Sequence, residues 1–184
     1  RYIKLGYWMY EGFGKIMQQI EETRKRISKI YTLSKQYGVT AAVHTHAGPY
    51  LSADPALLFM FLRDYDPEWL GAYIDPGHMF SESGPSGLEM YLDLLAPYIR
   101  LVAVKNYRWF HVTDEETGEK RWELRMMPLK EEIVPWPKVF RCLKMIGFDG
   151  SISVHSEYEN LDLEELIKQT EEDLNYLKNV LKGI

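Results

Sequence analysis

Only one cysteine, Cys142, occurs in the 184 residues, so no internal disulfide can form. That excludes a small oxidised scaffold and gives no reason to expect an oxidising compartment. The location stays open, with the cytoplasm favoured. Long apolar runs are missing too. None approaches the roughly 20 residues that span a bilayer as a helix, so no membrane partner is expected. Basic charge is in deficit: 22 Lys and Arg face 27 Asp and Glu, a net charge of −5. That balance leaves no footprint for nucleic acid. Neither internal repeats nor low-complexity segments interrupt the chain. The opening residues, Arg1-Tyr-Ile-Lys4, carry neither a methionine nor a signal-peptide pattern, so the chain is expected to start inside a longer protein.

What remains is ordinary globular material, 46% apolar and 27% charged. It is enough for one domain, 1–184, with a sizeable core. Apolar β-prone runs alternate with helical patterns five times. Strands are expected at Tyr2–Trp8, Val39–His46, Leu70–Asp75, Ile99–Asn106 and Ser151–Ser156. Helices are expected over Gly12–Tyr37, closed by Gly38, and from Pro55 to about Arg63, capped by Ser52 or Asp54. Further helices follow from Ser86 to Ala96, from Pro137 to Ile146, and from Asp162, where Glu165 completes a capping box. The connection Tyr107–Pro135 is unusually long. Within it Trp109–Thr113 and Lys120–Arg125 flank a Glu-Thr-Gly-Glu turn, which predicts a β-hairpin. Alternating strands and helices imply an α/β fold with a parallel sheet and right-handed crossovers.

Histidine is scarce, at five residues, yet four of the five fall where a strand should meet a loop. The stretches are Ala-Ala-Val-His44-Thr-His46-Ala-Gly, Tyr-Ile-Asp75-Pro-Gly-His78, and Ser-Val-His155-Ser-Glu157-Tyr. The strand ends of a parallel α/β protein lie on one face, where ligands bind. Imidazoles mixed with carboxylates suit a divalent metal. Side chains alternate along a strand, so His44 and His46 share a direction, as do His155 and Glu157. Each residue also has a blander reading. Asp75 before a proline could simply make an Asx-turn, and His78 could be a capping residue. Buried structural histidines are common. Trp8, Trp69 and Trp136 read as packing, and His111 as a solvated hairpin residue.

The ordered set His44-Thr-His46-Ala-Gly, Asp75-Pro-Gly-His78, Val104-Lys105-Asn106-Tyr107-Arg108-Trp109, Pro128-Leu129 and Gly147-Phe-Asp-Gly150-Ser-Ile-Ser-Val-His155-Ser-Glu157-Tyr158 resembles the xylose isomerase-like TIM barrels. These form the sugar phosphate isomerase/epimerase superfamily. The likeness runs along essentially the whole chain. It implies a partial (β/α)8 barrel of about five parallel units, the C-terminal five-eighths, with a β-hairpin insertion. It also implies metal-dependent isomerisation or epimerisation of a sugar or sugar phosphate through an enediolate. Such enzymes hold one divalent ion with Glu, Asp, His and Glu from consecutive strand ends.

This chain departs from that set. His44 stands for the second-strand glutamate and His155 for the last-strand glutamate. The fourth-strand histidine falls near Ala103, with Lys105 two positions on. Asp75 and His78 match unchanged. A related branch shares His-x-Glu-Tyr on the last strand and Lys-Asp-aromatic-Arg-Trp on the one before, although Asn106 replaces the acid here. The resemblance thus assigns His44, Asp75 and His155 to the metal, with Mn²⁺ or Zn²⁺ favoured over Mg²⁺ by the imidazoles. Glu157 becomes the surviving carboxylate base, unless it pairs with Arg108. Lys105 becomes a stabiliser of the enediolate or a partner for a substrate anion, unless it only neutralises Asp75. His46, His78, Arg108 and Trp109 become substrate-wall residues. The expected partner is a small-molecule sugar, and an oligomer is possible. Loss of both glutamates leaves open a catalytically divergent sugar-binding relative. Phosphodiester cleavage, as in the endonuclease branch, is disfavoured by the acidic balance.

Overall fold

The computed structural model describes residues 1–184. Its main sheet has five parallel strands: β1 (Tyr2–Leu5), β2 (Thr40–His44), β3 (Leu70–Ile74), β4 (Ile99–Val104) and β7 (Ser151–Val154), in that spatial order. A separate antiparallel hairpin, β5 (Asn106–Thr113) and β6 (Lys120–Met127), lies in the chain between β4 and β7. Helices α1 (Ile16–Tyr37), α2 (Pro55–Leu62), α3 (Pro76–Leu95), α4 (Trp136–Met145) and α5 (Leu163–Lys182) alternate with the main strands. The parallel sheet is what the alternation of the sequence implies, and the half-barrel with a hairpin insertion is what the family resemblance implies. No helix is long and apolar enough to cross a membrane.

Sheet parity organises the molecule. Ala41, Val43, Leu70, Ala72, Ile74, Val102 and Val104 join one cluster of 25 buried residues with the helices. On the opposite face Ala42, Tyr73 and Ala103 form a cluster of only three. Continuing that face along each strand by twos leads from Ala42 to His44, from Tyr73 to Asp75, and from Ala103 to Lys105. The apolar lining therefore ends, layer by layer, in a polar one. β2 and β3 are flanked on both sides and nearly wholly buried, whereas the outer strands β1 and β7 are largely exposed.

Several boundaries differ from expectation. β1 stops at Leu5, before Gly6; beyond it only an isolated bridge joins Met9 to Tyr50. In α1 the buried positions are Gln19, Thr23, Ile27 and Ser34, with Ile20 and Ile30 packed beside them on the core. Gln19 is tolerated inside because its amide donates to the carbonyl of Met9 and accepts from the amide of Glu11, both at 2.9 Å. The largest change is α3. It starts at Pro76 rather than Ser86, because Asp75 caps it, and it kinks at Gly84 (φ 65°), just before Pro85. Proline locally removes a helical hydrogen bond, which is why the sequence reads as loop there. The hairpin is longer than the sequence suggested, pairing Asn106 with Met127 through Thr113 with Lys120.

Candidate functional site

Three strand ends deliver His44, Asp75 and His155 to one point. Each offers a ligand atom, and these atoms all lie within 4.8 Å of one another. His44 and Asp75 are completely buried. The His44 and His155 rings are stacked, with centroids 6.1 Å apart.

The spare ring atoms are aimed by neighbouring hydroxyls. Tyr7 bonds His44 Nδ1 at 3.1 Å, which leaves Nε2 without a hydrogen bond, 3.9 Å from Asp75 Oδ2. His155 Nε2 is engaged by the hydroxyls of Tyr73 at 2.8 Å and Ser153 at 3.1 Å, which turns Nδ1 toward Glu157 Oε1 at 3.4 Å. A hydrogen bond to the other ring nitrogen fixes the tautomer and orientation of a metal-ligating histidine. Asp75 reconciles its two readings by dividing its oxygens. Oδ1 accepts from the amides of Gly77 (3.0 Å) and His78 (3.2 Å), capping α3. Oδ2 is buried with no hydrogen bond. The Asp75 amide is in turn tied to Thr45 Oγ1 at 2.7 Å. An unpartnered buried carboxylate oxygen is costly unless something cationic faces it.

The protonation states suit a metal ion. Burial, then the charges of Lys4 and Lys105, pushes His44 down to about 2, so its imidazole is neutral. His78 is pushed down to about 2 by burial, with His46 and Lys105 adding to it. Burial raises Asp75 to about 6, against the pull of Lys105. Neutral imidazoles and a carboxylate are the protonation states a metal requires. Two or three such donors, with open positions between them, fit a divalent ion.

Lys105 reaches the same point from β4. Its side chain is buried, with Nζ 2.7 Å from Glu157 Oε2, 3.5 Å from Asp75 Oδ2 and 3.4 Å from His78 Nε2. Glu157 also faces His155 Nδ1 at 3.4 Å. The His155 ring and then the Lys105 ammonium hold this half-exposed carboxylate well below the usual range, despite its partial burial. His46 and His78 stack at 4.0 Å, and Tyr107 continues the stack on His78 at 4.6 Å. All three line a cleft of about 810 Å³, whose far wall is built from Phe110 and β6 residues including Glu123 and Arg125.

Arg108 and Trp109 are not brought to that cleft. The Arg108 guanidinium pairs with Glu131 at 2.8 Å, not with Glu157. The Trp109 indole donates to the carbonyl of Ser81 at 3.0 Å, holding the hairpin against α3. Tyr107 and Phe110 line the cleft in their place. His111 lies on the hairpin against Trp122. Asn106 has a structural job that an aspartate could not do. Its amide nitrogen donates to the carbonyls of Pro128 and Leu129, while its oxygen accepts from Val134 N and the Trp136 indole.

Sequence reasoning did not single out Tyr7, Tyr73, Ser153 or Thr45. Tyr73 and Ser153 were within reach of it: each lies two residues before a site residue on the same strand face. Tyr7 lies beyond the end of β1, and no periodicity points to it.

A comparison with curated proteins finds no match. Among solved structures, the chain is similar to IOLI protein with a bound zinc atom (16% identity, TM-score 0.71, covering 98% of this chain and 64% of that one). It is also similar to L-ribulose 3-epimerase (16%, 0.68, 100% and 62%). A third is a xylose isomerase-like TIM barrel protein from Mycobacterium smegmatis in complex with magnesium (19%, 0.62, 97% and 54%). The chain thus spans 54% to 64% of the length of these structures. With the family model for xylose isomerase-like TIM barrels matching residues 5–180, this chain belongs to that family.

Proposed function

We propose that this chain carries the site of a divalent-metal-dependent isomerase or epimerase acting on a sugar or sugar phosphate. The observation that carries the reading is the convergence of three ligand atoms, with His44 Nε2, Asp75 Oδ2 and His155 Nδ1 buried and without hydrogen bonds. His44, Asp75 and His155 would hold the ion, with Zn²⁺ or Mn²⁺ suited better than Mg²⁺ to two imidazoles. Such an ion would polarise a carbonyl and its neighbouring hydroxyl as a Lewis acid. The names of the solved relatives, a ribulose epimerase and a zinc-bound protein among them, support the same chemistry.

The chain's own groups supply the proton transfer. Glu157 is ionised and half exposed at the cleft, so it can accept a proton from the carbon beside a sugar carbonyl, giving an enediolate. As Glu157 becomes neutral, Lys105 loses an ion-pair partner at 2.7 Å. The ammonium is then free to stabilise the negative oxygen that develops. His46, His78 and Tyr107 offer ring faces and nitrogens to the hydroxyl-bearing chain of the sugar. The first experiment is metal analysis of the full-length protein, followed by proton exchange at the α-carbon of free and phosphorylated ketoses in D₂O. Stoichiometric metal and exchange lost in Glu157→Gln are expected. A metal-free protein with no exchange would overturn the reading.

One observation favours a second reading, a sugar-binding relative without isomerase activity. Lys105 already lies between Asp75 and Glu157, so the buried charge is partly balanced without an ion. Sugar binding without exchange would support it.

A further inference from the structure

Lys105 is an unusual neighbour for a metal ligand. Its side chain is 2% exposed, and its ammonium lies 3.5 Å from the one Asp75 oxygen that has no hydrogen bond. A divalent ion drawn to that oxygen would meet a positive charge already within a few ångströms, in a buried site where water screens little. The ammonium cannot diffuse away. It can only pivot on its stem, and the structure offers one place to pivot to. Glu157 Oε2 holds Nζ at 2.7 Å, and the Glu157 side chain is 55% exposed, on the cleft side of the site. The other contact, His78 Nε2 at 3.4 Å, belongs to an imidazole, which carries no negative charge and so supplies no counter-charge.

We infer that Lys105 is a tethered cation that competes with the metal for Asp75, and that Glu157 is its alternative berth. The inference rests on the metal reading above. Metal affinity is then set not only by His44, Asp75 and His155 but by how firmly Glu157 draws Lys105 away from them. Glu157 therefore has a positioning role for Lys105 in addition to any proton transfer.

The test is direct Zn²⁺ titration of the full-length protein after chelator treatment, with no substrate present. Lys105→Met keeps most of the side-chain volume and removes the charge, so Zn²⁺ should bind at least about tenfold more tightly than to wild type. Glu157→Gln should weaken binding, because the ammonium returns to Asp75. In the Lys105→Met background the same Glu157→Gln change should leave affinity unaltered. If Lys105→Met binds Zn²⁺ no better than a wild type that does bind, the inference fails while the metal reading stands. If the gain disappears in the double variant, the freed carboxylate had become a ligand, and the inference also fails. If neither wild type nor Lys105→Met binds, and Asp75→Ala is indistinguishable from both, the metal reading falls and takes the inference with it. Lys105→Gln repeats the comparison should the methionine variant not fold.

Discussion

The backbone of Gly77, in the first turn of α3, is pressed against the carbonyl of Lys105 at the end of β4, with no room between them for a methyl group. The contact packs the turn that carries the Asp75 cap directly against the residue that carries the ammonium. Asp75 Oδ1 would lie 3.1 Å from the same methyl. Gly77→Ala should therefore cost about 1–3 kcal/mol, the usual range for overpacking. It should also separate Asp75 from Lys105. Urea denaturation reads the first effect, and a changed Zn²⁺ affinity at unchanged ligand identity reads the second. A variant as stable as wild type would show that the contact relaxes freely.

Tyr7 and Tyr73 are not themselves proposed ligands, yet each fixes one histidine that is. Tyr7→Phe frees His44 Nδ1, and Tyr73→Phe removes a partner of His155 Nε2. Loss of such supporting bonds typically weakens metal binding by about 10–100-fold. Each variant should fall in that range by Zn²⁺ titration, with secondary structure intact by circular dichroism. His111→Ala, whose ring packs on Trp122 in the hairpin, should bind as wild type.

Stability of the metal-free protein should fall on acidification. His44 and His78 are both pushed down to about 2 in the folded state, so below their ordinary value of 6.5 the unfolded chain takes up protons that the folded one refuses. That favours unfolding as pH drops. Asp75 acts in the opposite sense. Raised to about 6, it is protonated in the folded state between its ordinary value of 3.8 and 6, and so favours the folded form there. His46, lowered by burial in the same sense, adds to the two histidines, and together they outweigh Asp75, a net loss of stability between pH 6.5 and 4. Denaturation midpoints at pH 7.5, 6 and 5 should decline in that order. The double substitution His44→Gln, His78→Gln should flatten the decline.

Asn106 is completely buried and uses both ends of its amide. Asn106→Asp is nearly isosteric, but it turns two donors toward Pro128 and Leu129 into acceptors and buries a charge. A loss of about 3 kcal/mol or more is expected in denaturant unfolding. By contrast Arg108→Ala removes an exposed pair with Glu131 and should cost less than about 1 kcal/mol. It should also leave Zn²⁺ affinity unchanged.

Local periodicity carried much of this protein. A two-residue repeat fixes which face of a strand a side chain occupies, and a strand–helix alternation fixes that the strands are parallel. From those two facts the parallel five-stranded sheet follows, as does the meeting of His44, Asp75 and His155; the half-barrel came from the family resemblance. The cap at Asp162 and the hairpin turn are equally local and were equally legible. Tertiary structure decided everything that depends on distances between elements. Whether Glu157 pairs with Arg108 or Lys105 turns on how the hairpin leans, and Trp109 bonding to Ser81 settles it. The start of α3 at Pro76 depends on an aspartate that caps a helix with one oxygen while the other faces the site. Asn106 could be read only as a missing acid until four groups from a distant loop closed around it. Hydrogen bonds between residues 20 to 80 positions apart leave no periodic trace, because they depend on packing in three dimensions and not on spacing along the chain.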